Sequence, residues 1–392
     1  MKKSLIIFTA SFLIISLLFC SAGAFGSWKH ERKVGLDNQW GVEVEKAHRH
    51  ASGHDTLFIK KALCIILAVV LVVVCASFAS AGWKFDRKVK IICPWPAGGS
   101  SDETVRTMAK LLNSIINQEV EVLNVVGDDG TKAIEFANSQ PADGYTFLLG
   151  TQSLFMQDIQ GTTDIKFKNE FIPVVRLVHA INILTISNET IRETGYKNFS
   201  DLSEYMLKNP YEISVGMLTS TGLDGVAIRQ TLECLDVLKV TYHTAGDLAS
   251  ALVEGHIDLM IGGIEEISDL VEDDEVTPIL SLSEKRLKKY PDVQCTGELG
   301  IDSFMGPARG LFAKKETPKE AIDAMVEAVR KASKTPIWKK FLEQGCYDER
   351  PGFADQNEYI KLCEEDYKLL TEYLTSEGLL KTNYFKDDGN NA

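Results

Sequence analysis

One stretch constrains the fold of this chain more than any other: Val89-Lys90-Ile91-Ile92-Cys93-Pro94-Trp95-Pro96-Ala97-Gly98-Gly99-Ser100-Ser101-Asp102. A short β-branched run passes through two prolines into a Gly-Gly turn. Apolar positions Val105, Met108, Ala109, Leu111 and Leu112 then recur at helical spacing. Strand, glycine loop and helix N-terminus together can hold an anion. The first N–H groups of a helix have no internal acceptor, and the helix dipole adds partial positive charge at the same place. Gly98 and Gly99 carry no Cβ and let a ligand approach the main chain. Ser100, Ser101 and Asp102 are all good helix N-caps. The same turn also occurs in α/β proteins that bind nothing there, so these residues alone leave a binding loop and a plain strand-to-helix junction both open.

Downstream the pattern keeps alternating. A strand over 119–125 leads through Gly127-Asp128-Asp129-Gly130 into a helix, and a further strand ends in Thr151-Gln152-Ser153. Extended runs at 171–178 and 181–186 read as a crossing into a second domain. A strand over 211–217 there runs into the loop Leu218-Thr219-Ser220-Thr221-Gly222-Leu223-Asp224, and His243-Thr244-Ala245-Gly246-Asp247 enters another helix. Thr317-Pro318-Lys319-Glu320 predicts a capping box with Thr as N-cap and Pro at the first helical position. Ile322, Met325, Val326 and Val329 line one face of the adjoining helix. Repeated β-α units imply an α/β fold with mainly parallel sheets, which bind ligands in the loops at the C-terminal ends of their strands. The loops at 97–102 and 219–224 belong to separate β-α series. Facing each other across a cleft, they would suit a ligand with two anionic ends.

The N-terminus reads as a leader. Lys2-Lys3, an apolar run over 4–19 and Ser21-Ala22-Gly23-Ala24 form a secretory signal pattern. A second copy comes later: Lys60-Lys61, an apolar run over 62–74, and Ala79-Ser80-Ala81. Ser27-Trp28-Lys29-His30-Glu31-Arg32-Lys33-Val34 also resembles Gly82-Trp83-Lys84-Phe85-Asp86-Arg87-Lys88-Val89. Residues 1–57 therefore look like a partial repeat of leader plus mature start, or an over-extended gene start. Cleavage is expected after Ala81, placing the mature chain in the periplasm. The alternative is a membrane anchor over 62–81, a length near the roughly 20 residues that span a bilayer.

Of the 42 Lys/Arg and 55 Asp/Glu in the 392 residues, nine and five precede Gly82, so residues 82–392 carry 33 basic and 50 acidic side chains, net −17. General electrostatics then disfavour nucleic acid and anionic membrane surfaces as partners. An anionic ligand would have to be held by local dipoles and hydroxyls. Five cysteines remain (Cys93, Cys234, Cys295, Cys346 and Cys363), an odd number without metal-site spacing, and most are expected as buried apolar side chains. A Cys346–Cys363 pair stays open. No metal or cofactor is expected.

A series of motifs carries a resemblance to a known family: Pro94-Trp95-Pro96-Ala97-Gly98-Gly99-Ser100-Ser101-Asp102, Asn124-Val125-Val126-Gly127-Asp128-Asp129-Gly130, Ala142-Asp143-Gly144-Tyr145-Thr146, Val240-Thr241-Tyr242-His243-Thr244-Ala245-Gly246 and Gly255-His256-Ile257-Asp258-Leu259-Met260. The tail adds Tyr290-Pro291-Asp292-Val293, Glu298-Leu299-Gly300, and Gly310-Leu311-Phe312-Ala313-Lys314 before Thr317-Pro318. In order and spacing these cover nearly all of 86–375. The chain resembles the substrate-binding receptors of tripartite tricarboxylate transporters, the Bug-type (TctC-like) periplasmic proteins. That resemblance implies a two-lobed, type II periplasmic-binding-protein-like α/β fold, with lobe 1 formed by 83–182 plus 305–392 and lobe 2 by 183–304. It implies a small di- or tricarboxylate or related organic acid as ligand, a two-subunit integral membrane permease as partner, and a monomeric, non-enzymatic receptor.

Carried over by the resemblance, one carboxylate would sit at Ala97, Gly98, Gly99 and Asp102, and the other end of the ligand at Thr219, Ser220, Thr221 and Gly222. Thr151 and Ser153 would line the cleft between them. Trp95 and Ser100 belong to the same first jaw, Trp95 as a stacking surface, and His243 is a further cleft candidate. Arg176 and Arg229 read as structural ion pairs, and Asp258 as a turn or strand-end residue. The sequence departs from the family at Gly127-Asp128-Asp129-Gly130, where Gly-Ala-Gly-Gly is usual. It departs again at the glycine-poor 218–224 loop, and at His243 in place of a lysine. Two other functions are weighed against transport. One is a ligand sensor for a membrane signalling protein. The other is a serine hydrolase using Ser100 or Ser101, which lacks a G-x-S-x-G elbow and a visible nucleophile–base–acid arrangement.

Overall fold

The chain divides into two units, Met1–Ala81 and Gly82–Ala392. A computed structural model describes residues 83–380 apart from 197, 219–221 and 233–234, together with 62, 65 and 66. The leader expectations otherwise lie outside the described residues. Among the described residues no helix is long and apolar enough to cross a membrane.

The second unit is built on two sheets. The first has the order β2-β1-β3-β11-β4, from β1 (Val89–Cys93), β2 (Val120–Asn124), β3 (Thr146–Gly150), β4 (Phe171–His179) and β11 (Ala308–Lys314). β1 pairs in parallel with both β2 and β3, whereas β11 is antiparallel to β3 and β4. The second sheet has the order β10-β9-β5-β8-β6-β7, from β5 (Asn182–Ser187), β6 (Ser214–Met217), β7 (Leu238–Thr241), β8 (Leu259–Gly263), β9 (Val276–Ser281) and β10 (Gln294–Cys295). β6 is parallel to β7 and β8, while β5 runs antiparallel to β8 and β9.

The sheets are covered by helices, as parallel strands require. Val89, Ile91, Ile92 and Cys93 of β1 are all fully buried. Helix α1 (Ser100–Ile116) lays Val105, Met108, Ala109 and Leu112 into one side of that core, where the spacing of apolar residues predicts them. Helices α2 (Thr131–Ser139) and α3 (Gln152–Gln160) pack Ile134, Leu154, Phe155 and Ile159 into the other. The second sheet is flanked by α4 (Phe199–Lys208), α5 (Leu223–Leu232), α6 (Ala245–Val253) and α7 (Ile264–Glu272). Asn198 caps α4 by accepting from the Asp201 N–H at 2.9 Å.

The chain passes between the sheets twice. β4 leaves through Ala180-Ile181 into β5, and the return segment before β11 runs beside it, with Ala180 N–H donating to Pro307 and Asn182 N–H to Met305. The approach is so close that a Cβ on Gly306 would lie 2.0 Å from the Ala180 carbonyl oxygen, so only glycine fits. After β11 come α8 (Lys319–Ala332), α9 (Pro336–Gln344), a 3-10 turn at Tyr347–Glu349 and α10 (Gln356–Ser376). The turn straps the two halves together. Arg350 donates to Phe304 and Leu282 carbonyls at 2.9 and 3.0 Å, and Cys346 packs into a core cluster of the second sheet.

The Thr317 capping box is corrected here, and the open Cys346–Cys363 pair is decided. α8 begins at Lys319 with Pro318 as N-cap and no side-chain cap, so the Thr317 capping box does not form. Thr317 is buried, and its N–H closes a turn onto Lys314. Cys346 and Cys363 do not pair: Cys93, Cys295, Cys346 and Cys363 are free and buried, and Cys363 sits in a first-sheet cluster remote from that of Cys346.

Candidate functional site

The loop after β1 is held from behind. Asp102, only 2% exposed, accepts from Gly98 N–H (3.0 Å), Arg106 Nε (2.8 Å) and Asn124 Nδ2 (2.8 Å). Burial pushes its carboxyl up, but the hydrogen bonds from Arg106, Asn124 and Gly98 together outweigh burial and hold it below the usual carboxylate range. Asn124 also donates to the Trp95 carbonyl at 2.8 Å. Asp102 is therefore the anchor of the loop and does not face outward from it. Trp95 is half-buried against the first-sheet core. Ala97, Gly98 and Gly99 are exposed, with Gly98 at φ +86°, a conformation that favours glycine. Gly99 is the N-cap of α1 and lies at φ −79°.

The loop before α5 has a parallel construction. Asp224, in the first turn of α5, accepts from Leu218 N–H at 3.1 Å, and Asn182 Nδ2 approaches its other oxygen at 3.5 Å. Burial raises its carboxyl to about 6 against these two bonds. Gly222 is buried, and its carbonyl accepts from Val226 N–H. Thr219, Ser220 and Thr221, the hydroxyls expected in this jaw, lie outside the described residues. In both loops an aspartate of the adjoining helix clasps a main-chain N–H of the loop that precedes it.

Thr151 is a buried N-cap whose hydroxyl accepts from Ser153 N–H at 3.2 Å, and Ser153 is half-buried. Between them Gln152 accepts from Ala308 N–H at 2.9 Å, tying the end of β3 to β11. His243 is exposed on the turn before α6. Arg176 is buried and donates to the Gly352 and Pro351 carbonyls, while Arg229 pairs with Glu377. Asp258 accepts from the main chain and hydroxyl of Ser214.

The sequence reading missed the residue at the centre. Arg309, on β11 and 2% exposed, donates Nε to Ser101 Oγ (3.1 Å), Nη1 to the Tyr347 hydroxyl (3.2 Å), and Nη2 both to Ser100 Oγ (2.7 Å) and to Glu265 Oε1 (2.8 Å). Glu265 opens α7 directly after β8, so this ion pair joins the first sheet to the second beside the glycine loop. Its neighbour Glu266 reaches back to Gly263 N–H at 3.1 Å. Burial, then the charges of Glu265 and Asp224, raise the Glu266 carboxyl to about 7. The guanidinium thus bonds one carboxylate, Glu265, and feels the charge of a second, Glu266. An arginine inside a run as apolar as Ala308–Lys314 was the available signal.

Ser100 and Ser101 are hydrogen-bonded to this arginine. Among the described residues the histidines sit elsewhere: His179 faces Arg350 at the crossing, His256 lies near Glu254, and His243 is on its exposed turn. Among the described residues no group of His, Cys, Asp and Glu is arranged to hold a metal ion.

The tripartite tricarboxylate transporter family receptor model matches residues 104–378, well over half of the chain. A Cupriavidus necator protein, the UPF0065 protein in the gbd 5′ region, is 24% identical over 303 residues, 76% of this chain and 89% of its own. Protein BugT of Bordetella pertussis is 22% identical, covering 71% and 88%. Among solved structures, an R. palustris protein determined with adipate superposes with a TM-score of 0.66 at 21% identity, covering 75% of this chain and 98% of that one. MatC of Rhodopseudomonas palustris with bound malate gives 0.61 at 20% identity, covering 73% and 98%. These structures carry the two-sheet periplasmic solute-binding fold over to this chain. The chain belongs to the tripartite tricarboxylate transporter receptor family.

Proposed function

We propose that this receptor binds a small organic carboxylate between the loop at 97–102 and the loop at 218–224, and delivers it to a two-subunit membrane permease. The carrying observation is the shared build of the two loops. Each ends a strand and opens a helix, and each has a main-chain N–H clasped by an aspartate of that helix. The N–H groups of the first turn of α1, reached across the exposed Gly98-Gly99 main chain, and the hydroxyls of the second loop would hold carboxylate oxygens by charge-assisted hydrogen bonds. Asp102 is neutralised by Arg106, so the first loop presents donors without opposing charge. The neighbours solved with adipate and malate support the ligand class. On this reading the leader is removed after Ala81, and residues 83–182 with 305–392 form one lobe against 183–304.

The test is a thermal-shift screen of carboxylic acids on the chain starting at Gly82. A bound acid raises the melting temperature by mass action, about 2.7 kcal/mol at a hundredfold excess over Kd. Gly99→Val should abolish the shift without unfolding the loop, because φ at Gly99 suits any residue and a Cβ there meets only the Pro96 carbonyl at 3.6 Å. Ser220→Ala with Thr221→Ala should weaken the same hit. Unchanged affinity in both variants would refute the two-loop site.

A further inference from the structure

We propose that the guanidinium of Arg309, framed by Ser100, Ser101 and Tyr347, is a carboxylate subsite, and that Glu265 of the opposite sheet occupies it until a ligand carboxylate displaces it. The inference deepens the receptor reading and rests on it. A fully buried guanidinium needs an anion, and three of its four bonds go to neutral hydroxyls. Glu265 meets that need incompletely. It offers one oxygen to Nη2, although a guanidinium fork favours two parallel bonds. Its other oxygen, Oε2, is buried and accepts no hydrogen bond, which leaves a desolvated carboxylate oxygen uncompensated.

Glu265 is also held among like charges. Glu266 lies next to it, and Asp224 acts on the same group of carboxylates from the second loop. The remaining charged or titratable groups around it are Arg309 itself and, behind, Tyr347 and Cys346. Ser100 and Ser101 are the first two residues of α1, so the subsite is continuous with the exposed Gly98-Gly99 main chain. A ligand carboxylate at this position would accept from Arg309 Nη2 and from the unpaired N–H groups of the first helical turn together. Glu265 reaches only the first of these from the far side. An intrinsic anion of this kind sets a threshold. Ligand affinity falls by the fraction of receptor in which Arg309 is already taken.

The experiment is calorimetric titration of the chain from Gly82 with adipate and with malate, in four forms: unaltered, Glu265→Gln, Glu265→Asp and Glu266→Gln. Gln at 265 keeps the shape but releases the guanidinium, and should tighten binding about tenfold. Asp keeps the charge while withdrawing it from Arg309, and should tighten binding by less. Glu266→Gln removes the adjacent charge without touching Arg309 and should change affinity far less than Glu265→Gln. Equal tightening by the two Gln variants would reduce the effect to general charge and overturn the subsite. Unchanged or weaker binding in Glu265→Gln would overturn it too, and assign the pair a purely structural role between the halves. If neither acid, nor any acid of the wider screen, binds the unaltered or the Glu265→Gln chain, the carboxylate reading itself fails.

Discussion

Asp102→Asn is expected to loosen the first loop without disturbing the sheet beneath it. The variant keeps the side-chain volume but turns one acceptor oxygen into a donor, opposite Gly98 N–H, Arg106 Nε and Asn124 Nδ2, all of which are donors. Hydrogen bonds to a charged group are worth about 1.5–3 kcal/mol each in favourable settings. Two of the three are discounted. Gly98 is exposed and its N–H rehydrates, and Arg106 is 41% exposed, so water screens that pair. Asn124 keeps its bond to the Trp95 carbonyl. The net cost is about 2 kcal/mol, which for a unit of this size lowers Tm by roughly 3 °C.

The pH dependence gives the effect a signature. The folded carboxyl lies below its ordinary range, so it contributes stability above the unfolded pKa and loses it as pH falls through the folded pKa. Melting curves of the two chains should differ by a constant amount from neutral pH to about pH 4, and the gap should close below that. Equal melting temperatures at pH 7, or a gap that widens on acidification, would refute the role of Asp102 as anchor.

Other substitutions test the frame. Gly306→Ala forces a Cβ against the Ala180 carbonyl and should destabilise the crossing by more than about 2 kcal/mol, visible as a lowered urea midpoint. Met325→Ala, on the buried face of α8, should cost about 2–5 kcal/mol through the cavity it leaves, measured in the same denaturation series.

The β-α alternation, the glycine loop and the α1 face were legible because each is a local pattern of apolar period and turn residues. The Thr317 motif misled because a sequence match to a capping box carries no information about the turn that draws the Thr317 N–H onto Lys314. Asp102 was expected to bind ligand because the family resemblance carries that role to its position. Only the packing of Asn124 and Arg106 around it shows that it faces inward. Arg309 was not visible as a site residue. Its partners lie at positions 100, 101, 265 and 347, and only the insertion of β11 between β3 and β4 brings them together. Glu265 stands in the first turn of α7, a placement the dipole favours for an acidic residue on its own, so its position alone does not single it out.

In the proposed site a carboxylate is held where the glycine loop, the α1 N-terminus and Arg309 meet. A crystal structure of residues 82–392 grown with the acid that gives the strongest thermal shift tests it most directly. One ligand carboxylate is expected within roughly 3.2 Å of a main-chain N–H of Ser100, Ser101 or Asp102 and of Arg309 Nη2, with Glu265 turned away from the guanidinium. A carboxylate bound elsewhere, with Glu265 still on Arg309, would contradict it.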